Sequence, residues 1–207
     1  MVGASATAAA AISFVLAAKS VLAIGRQRRN PGPGRTAVLG DSFTAAPRGF
    51  VSYLNQALPG RSFVPFGIIG QGSTGIKNRL QPQAIGRGFD EIIIEAGIND
   101  IRRHDAVLHI TRNLAEMVAT AKRAGLKVVL LTLPPWHQAA TKIARANRII
   151  LANGKRWGAD VVVDIHKPLS TPQGHLKQDL VGDRVGLHPN RAGHELLGST
   201  IVNFGYR

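Results

Sequence analysis

"TAVLGDSFTAAP", Thr36 to Pro47, runs from a short apolar stretch into Gly40-Asp41-Ser42 and then into small, helix-starting residues. Taken alone it reads as a strand entering a turn, since Gly, Asp and Ser are ordinary turn and N-cap chemistry. Working outward, four further runs rich in Val, Ile, Leu and Phe follow at 63–69, 91–96, 127–133 and 160–165. Near-continuous apolar runs of this length suit strands covered on both faces.

Helical patterns fill the intervals. Over 106–124, Val107, Ile110, Leu114, Met117 and Ala121 share one face, and Gly125 stands where a helix should stop. Over 141–157, Ile143, Ala146, Ile150 and Trp157 form the apolar face, and Lys142, Arg145 and Arg148 form a solvated stripe. Strands alternating with helices predict an α/β domain, a parallel five-stranded sheet with helices on both faces. No internal repeat or low-complexity tract appears after residue 34.

The chain of 207 residues, 44% hydrophobic, can bury one substantial core. The expected organisation is an N-terminal segment and linker over 1–34 and one domain over 35–207. The absence of cysteine excludes disulfides, thiolate metal sites and a cysteine nucleophile. The formal charge of +14 favours anionic partners, but the basic residues are spread along the chain and only two Tyr and two Trp are present to stack on bases. A nucleic-acid partner is therefore disfavoured.

Residues 2–24 are small and apolar, interrupted by Lys19, and lead into Arg26, Arg28, Arg29 and the stiff "NPGPG" linker. Membrane attachment or export is the expectation, with an Ala-rich helix lying on the domain or on a membrane surface as the bland alternative. The small-residue pairs Val15-x-Ala17 and Val21-x-Ala23 resemble cleavage sites of an exported protein, whereas the arginines would hold an anchored domain on the cytoplasmic side. The side of the membrane stays open.

In open parallel sheets functional groups gather at the carboxyl ends of the strands. There the sequence places Gly40-Asp41-Ser42, Gly70-Gln71-Gly72-Ser73, Gly97-Ile98-Asn99-Asp100 and Pro134-Pro135-Trp136, with Gly186-Leu187-His188-Pro189-Asn190 before the last helix near 190–202. Each alone has a bland reading: Ser42 in a turn, Asn99-Asp100 capping a helix, His188 as a structural loop residue. Together they supply what acyl transfer at a serine requires, a hydroxyl, a base and donors for a developing oxyanion. Trp136 and Phe43 could line an acyl or sugar pocket, but core packing is the expected role of each.

In that order and spacing, "GDSF" (40–43), "GIIGQGS" (67–73), "GIND" (97–100) and "GLHPNRAGH" (186–194) resemble the blocks of the SGNH, or GDSL-type, hydrolases over roughly residues 35 to 204. The resemblance implies a flavodoxin-like three-layer α/β/α sandwich. It also implies Ser42 as nucleophile, His188 as general base, and an oxyanion hole formed by the Ser42 N–H, the Gly70 N–H and the Asn99 side chain, with no metal or organic cofactor. The substrate class would be a small-molecule, glycan- or lipid-linked ester. One position departs from the pattern. The family usually carries an aspartate three residues before the histidine, where this chain has Val185, and the nearest acid, Asp183, lies five before. Either a re-spaced loop brings Asp183 to the ring, or a backbone carbonyl orients His188 in a Ser-His dyad.

Two rivals follow from the same residues. The Val185 departure and the basic, apolar N-terminus suit a catalytically weak module that binds glycan or lipid head groups. Gly70-Gln71-Gly72-Ser73-Thr74-Gly75, with Glu95 about twenty residues on, satisfies a dinucleotide fingerprint, but after the second strand and ahead of a helix interrupted by Pro82. Metal chemistry is poorly supported, since His194-Glu195 lacks the second histidine of H-E-x-x-H.

Overall fold

The computed structural model describes residues 34–206; the apolar segment 2–24, its arginines and residues 30–33 of the linker lie outside the described residues. The order is β1 (Arg35–Gly40), α1 (Ser42–Ala45), α2 (Phe50–Ala57), β2 (Ser62–Gly67), α3 (Ser73–Gln83), β3 (Glu91–Ile94), α4 (Ile98–Arg102), α5 (Val107–Arg123), β4 (Lys127–Leu131), α6 (Ala140–Asn153), β5 (Val161–Val163), α7 (His166–Leu169) and α8 (Arg191–Gly205). Short 3-10 turns lie at His137–Ala139 and Gln178–Leu180.

All five strands are parallel, in the order β2-β1-β3-β4-β5. This is the flavodoxin-like three-layer sandwich. Helices α2 and α8 pack together on one face, and α3, α5 and α6 form the other layer. The central strands bury every inward and outward apolar side chain, Ala37–Leu39, Ile92–Ile94 and Val128–Leu131 among them. Each large aliphatic side chain so buried contributes roughly 1.5–3 kcal/mol, which is why these runs read as apolar without alternation.

Helix α5 forms as its pattern predicts. Val107, Ile110, Leu114, Met117 and Ala121 are buried, Lys122 and Arg123 sit in the last turn against the carboxyl end of the dipole, and Gly125 follows the C-cap Ala124. Boundaries differ from the apolar runs in one consistent way. Strands β2, β3, β4 and β5 stop at 67, 94, 131 and 163, two residues before the runs do. Ala96, Leu133 and Ile165 stay buried beyond the strand ends, under the crossovers, so the run marks burial and not extended backbone. At the edge strand the reverse holds: Ile68 and Ile69 leave the sheet into solvent. Helix α6 ends at Asn153, short of Trp157, and α8 continues to Gly205. Among the described residues no helix is long and apolar enough to cross a membrane.

The strand order reverses between β1 and β3, so their carboxyl ends open a crevice there. Ser42 and Asn99 are the residues that the two strands deliver to it.

Candidate active site

The turn after β1 is built on a close approach. A Cβ at Gly40 would run into Thr44 Oγ1 and lie 2.6 Å from Glu95 Oε2, so only glycine lets the chain fold back at once into α1. Asp41 caps that helix, its Oδ1 accepting from the Phe43 N–H at 3.1 Å, and Ser42 becomes the first helical residue. Below the turn, Glu95 Oε2 accepts from the Asp41 N–H at 3.1 Å. Both carboxyls are buried. Burial pushes Asp41 up to about 6, and burial together with the neighbouring Asp41 charge raises Glu95 well above the usual carboxylate range.

From Ser42 a line of hydrogen bonds runs outward. Its Oγ lies 3.0 Å from His188 Nε2, and His188 Nδ1 lies 2.5 Å from Asp183 Oδ2. With Asp183 accepting from Nδ1–H, Nε2 is left as the acceptor for the Ser42 hydroxyl. Asp183 therefore occupies the position that Val185 cannot. It also accepts from the Leu187 N–H at 3.0 Å and the His188 N–H at 3.2 Å, closing the loop around itself. Burial works to raise the Asp183 carboxyl, but the bonds from the His188 ring and the two N–H groups outweigh it and hold the group below its ordinary value. Val185 points to solvent, 44% exposed, and contributes its carbonyl to the Trp136 indole N–H at 3.1 Å. The backbone-carbonyl dyad is thus not the arrangement seen. With Asp183 on the ring, the argument from Val185 for a weak binding module also loses its basis.

Phe43 packs against the His188 ring at 5.6 Å between centroids and against His194 at 6.3 Å. Burial, helped by the neighbouring His188 charge, lowers His194 to about 4, so it stays neutral near pH 7. The bland reading of Phe43 and Trp136 is right for burial, since both are buried, but each also steadies the histidine side of the site.

The donors lie on the other side of Ser42. Among the described residues neither the Ser42 N–H nor the Gly70 N–H donates to a protein acceptor. Gly97, at φ +123°, turns the chain from β3 into α4 and carries Asn99 inward. The Asn99 amide donates to Asp41 Oδ2 at 2.9 Å and to the Gln71 carbonyl at 3.2 Å, while its Oδ1 accepts from Arg102 Nη1 at 3.3 Å. Asn99 is thereby held between the Ser42 turn and the glycine loop, and both amide protons are engaged. Asp100 fixes the same loop from below, accepting from the Ser73 N–H and Oγ–H, each at 2.7 Å.

A serine hydroxyl on an imidazole on a carboxylate, beside two free backbone N–H groups and an amide, is the donor and acceptor set of acyl transfer. The model of the GDSL-like lipase/acylhydrolase family matches residues 38–196. The chain belongs to that family.

Solved structures agree in fold. A GDSL-like lipase from Bacteroides thetaiotaomicron VPI-5482 is 20% identical, with a TM-score of 0.72 over 90% of this chain and 95% of its own. A catalytic mutant of an acetylxylan esterase from Geobacillus stearothermophilus is 20% identical, with a TM-score of 0.73 over 84% and 95%. TesA is 27% identical, with a TM-score of 0.67 over 82% and 96%. No curated protein matches the chain.

Within this GDSL-like hydrolase the dinucleotide reading fails on position. Glu95, the supposed ribose acid, is buried beneath the Asp41 turn, its Oε2 accepting from the Asp41 N–H and the Thr44 hydroxyl, and does not face a ligand at the surface. Among the described residues no group of three His, Cys, Asp or Glu could hold a metal ion. The sequence reading missed three supports. Asp41 lay inside the first block but passed as turn chemistry, and Glu95 was read for the wrong partner. Arg79, which donates to the Gly40 and Phe66 carbonyls and to the Gln71 and Gln83 side chains, carried no signal, because a single arginine on a helix does not announce what it reaches.

Proposed function

We propose that this hydrolase is a serine esterase or deacylase that works through an acyl-enzyme. Ser42 Oγ attacks the ester carbonyl as His188 Nε2 takes its proton, and Asp183 holds the ring in the required tautomer and stabilises the imidazolium. The oxyanion forms against the Ser42 and Gly70 N–H groups. Asn99 joins them by exchanging its longer bond, to the Gln71 carbonyl, for the developing charge. His188 returns the proton to the leaving alcohol, then activates the water that releases the acyl group, so no cofactor is called for.

The observation that carries this reading is the Ser42–His188–Asp183 relay, at 3.0 and 2.5 Å. The substrate class is an acyl or acetyl ester, lipid- or carbohydrate-linked, in keeping with the lipase and esterase names of its neighbours. Residues 2–24 would attach the enzyme to a membrane or direct its export. Turnover of p-nitrophenyl acetate that vanishes in Ser42→Ala is the expected result; turnover that survives the substitution would refute the mechanism.

A further inference from the structure

Next to the Ser42 centre lies a cleft of about 610 Å³ that contains neither Ser42 nor His188. It meets the centre at both of its halves. Arg102, on its wall, donates to Asn99 Oδ1, and Trp136, also on its wall, holds the Val185 carbonyl of the histidine loop. His137 reaches the same loop, its Nδ1 lying 3.1 Å from where a Cβ on Gly186 would stand.

The lining is one-sided in charge. Its formal charges come from Arg102 and Lys142, with His104, His137 and His175 beside them as polar neighbours, and no Asp or Glu faces the cleft. Among the described residues neither Arg102 nor Lys142 forms an ion pair, although seven such pairs exist elsewhere. Segment 1–33 cannot supply the missing acid, because it contains no Asp or Glu. His104 is also the one described non-glycine residue with positive φ, at +65°, a costly backbone for any residue with a Cβ. An arginine and a lysine without counter-charges at the mouth of a crevice raise the local concentration of anions and orient them on arrival. Arginine and lysine side chains at hydrogen-bond range are the groups that hold carboxylate and phosphate.

We propose that this cleft is the subsite for an anionic substituent, carboxylate or phosphate, on the ester that Ser42 cleaves. The inference rests on the proposed function for the reacting carbonyl and adds the chemistry of the rest of the substrate. The substituent sits on the Asn99 side of the oxyanion and draws the carbonyl towards Ser42.

The test uses matched esters. Mono-p-nitrophenyl glutarate against p-nitrophenyl valerate places the charge on the acyl part, and p-acetoxybenzoate against its methyl ester places it on the alcohol part. In one of these pairs the anionic member should have the higher kcat/KM, chiefly through KM, and Lys142→Glu should lower the anionic-to-neutral ratio by about tenfold or more, since close charges act strongly and short of a Debye length. Lys155→Glu, an equal charge change at an exposed residue outside the cleft, should leave the ratio unaltered. Titration of the wild type with inorganic phosphate gives a readout free of turnover, with a rise in melting temperature that Lys142→Glu removes. If no ester is turned over, the proposed function fails while the phosphate titration still decides the subsite. Ratios near one in both pairs, an equal fall in Lys155→Glu, or a phosphate effect indifferent to Lys142→Glu would overturn it.

Discussion

The two halves of the site meet at a single hydrogen bond and are held in opposite ways. The Ser42 turn grows directly from the central strand β1, with Asp41, Phe43 and Thr44 buried and Glu95 packed beneath it. The histidine loop 182–188 lies outside the sheet, closes around its own Asp183 and through the Gly182 N–H to His188 carbonyl bond, and is tied to the body by the Trp136 indole. Where the sheet dictates the backbone, spacing is rigid and every residue of the turn has a fixed address. Where a loop dictates it, an acid can move from three residues before the histidine to five and still reach the ring, provided the loop curls back. Here it does so through Asp183 itself, which accepts from the Leu187 and His188 N–H groups.

This contrast can be broken or sharpened by substitution. The largest effect belongs to the base: His188→Ala should cost roughly 10³-fold or more in kcat, as removing a member of a serine-histidine unit does. Asp183→Ala should follow, at roughly 10²- to 10⁴-fold, read in kcat on a short neutral ester. In that background Val185→Asp should restore nothing, because the Val185 side chain points to solvent. Recovery of activity there would mean that the loop can re-thread, and that the five-residue spacing is not fixed by its hydrogen bonds.

On the other half the expected change is in stability. Asp41 and Glu95 have folded-state values above their unfolded ones, so the native state binds more protons, and stability present below about pH 4 is lost as pH rises through the folded values, about 6 for Asp41. Urea unfolding between pH 4.5 and 7.5 should show Glu95→Gln gaining on the wild type as pH rises, by about 1 kcal/mol or more at the upper end. A difference independent of pH would remove the buried pair from the account. The smallest effect is expected at Trp136→Phe, which loses the bond to the Val185 carbonyl. About 1 kcal/mol of stability and a several-fold fall in kcat should result, the first by urea unfolding and the second on p-nitrophenyl acetate.

The same contrast explains what the sequence made legible. Apolar runs and helical faces gave the parallel sheet, since burial on both sides leaves a direct mark on composition, and four ordered blocks marked Ser42, Gly70, Asn99 and His188. Strand ends were overrun by two residues because Ala96, Leu133 and Ile165 remain buried after the strands stop. Asp183 stayed undecided between two readings, for the curl of a loop depends on which N–H groups turn inward. Arg79 and the Asp41–Glu95 pair left no pattern at all, since contacts across the sheet join residues far apart in the chain.

The most direct test of the central claim is the site of covalent modification. Treated with a fluorophosphonate and digested with trypsin, the protein should carry the adduct on Ser42, within the peptide 36–48, and the adduct should be strongly reduced in His188→Ala. An adduct on another serine, or labelling of Ser42 indifferent to His188, would contradict the account.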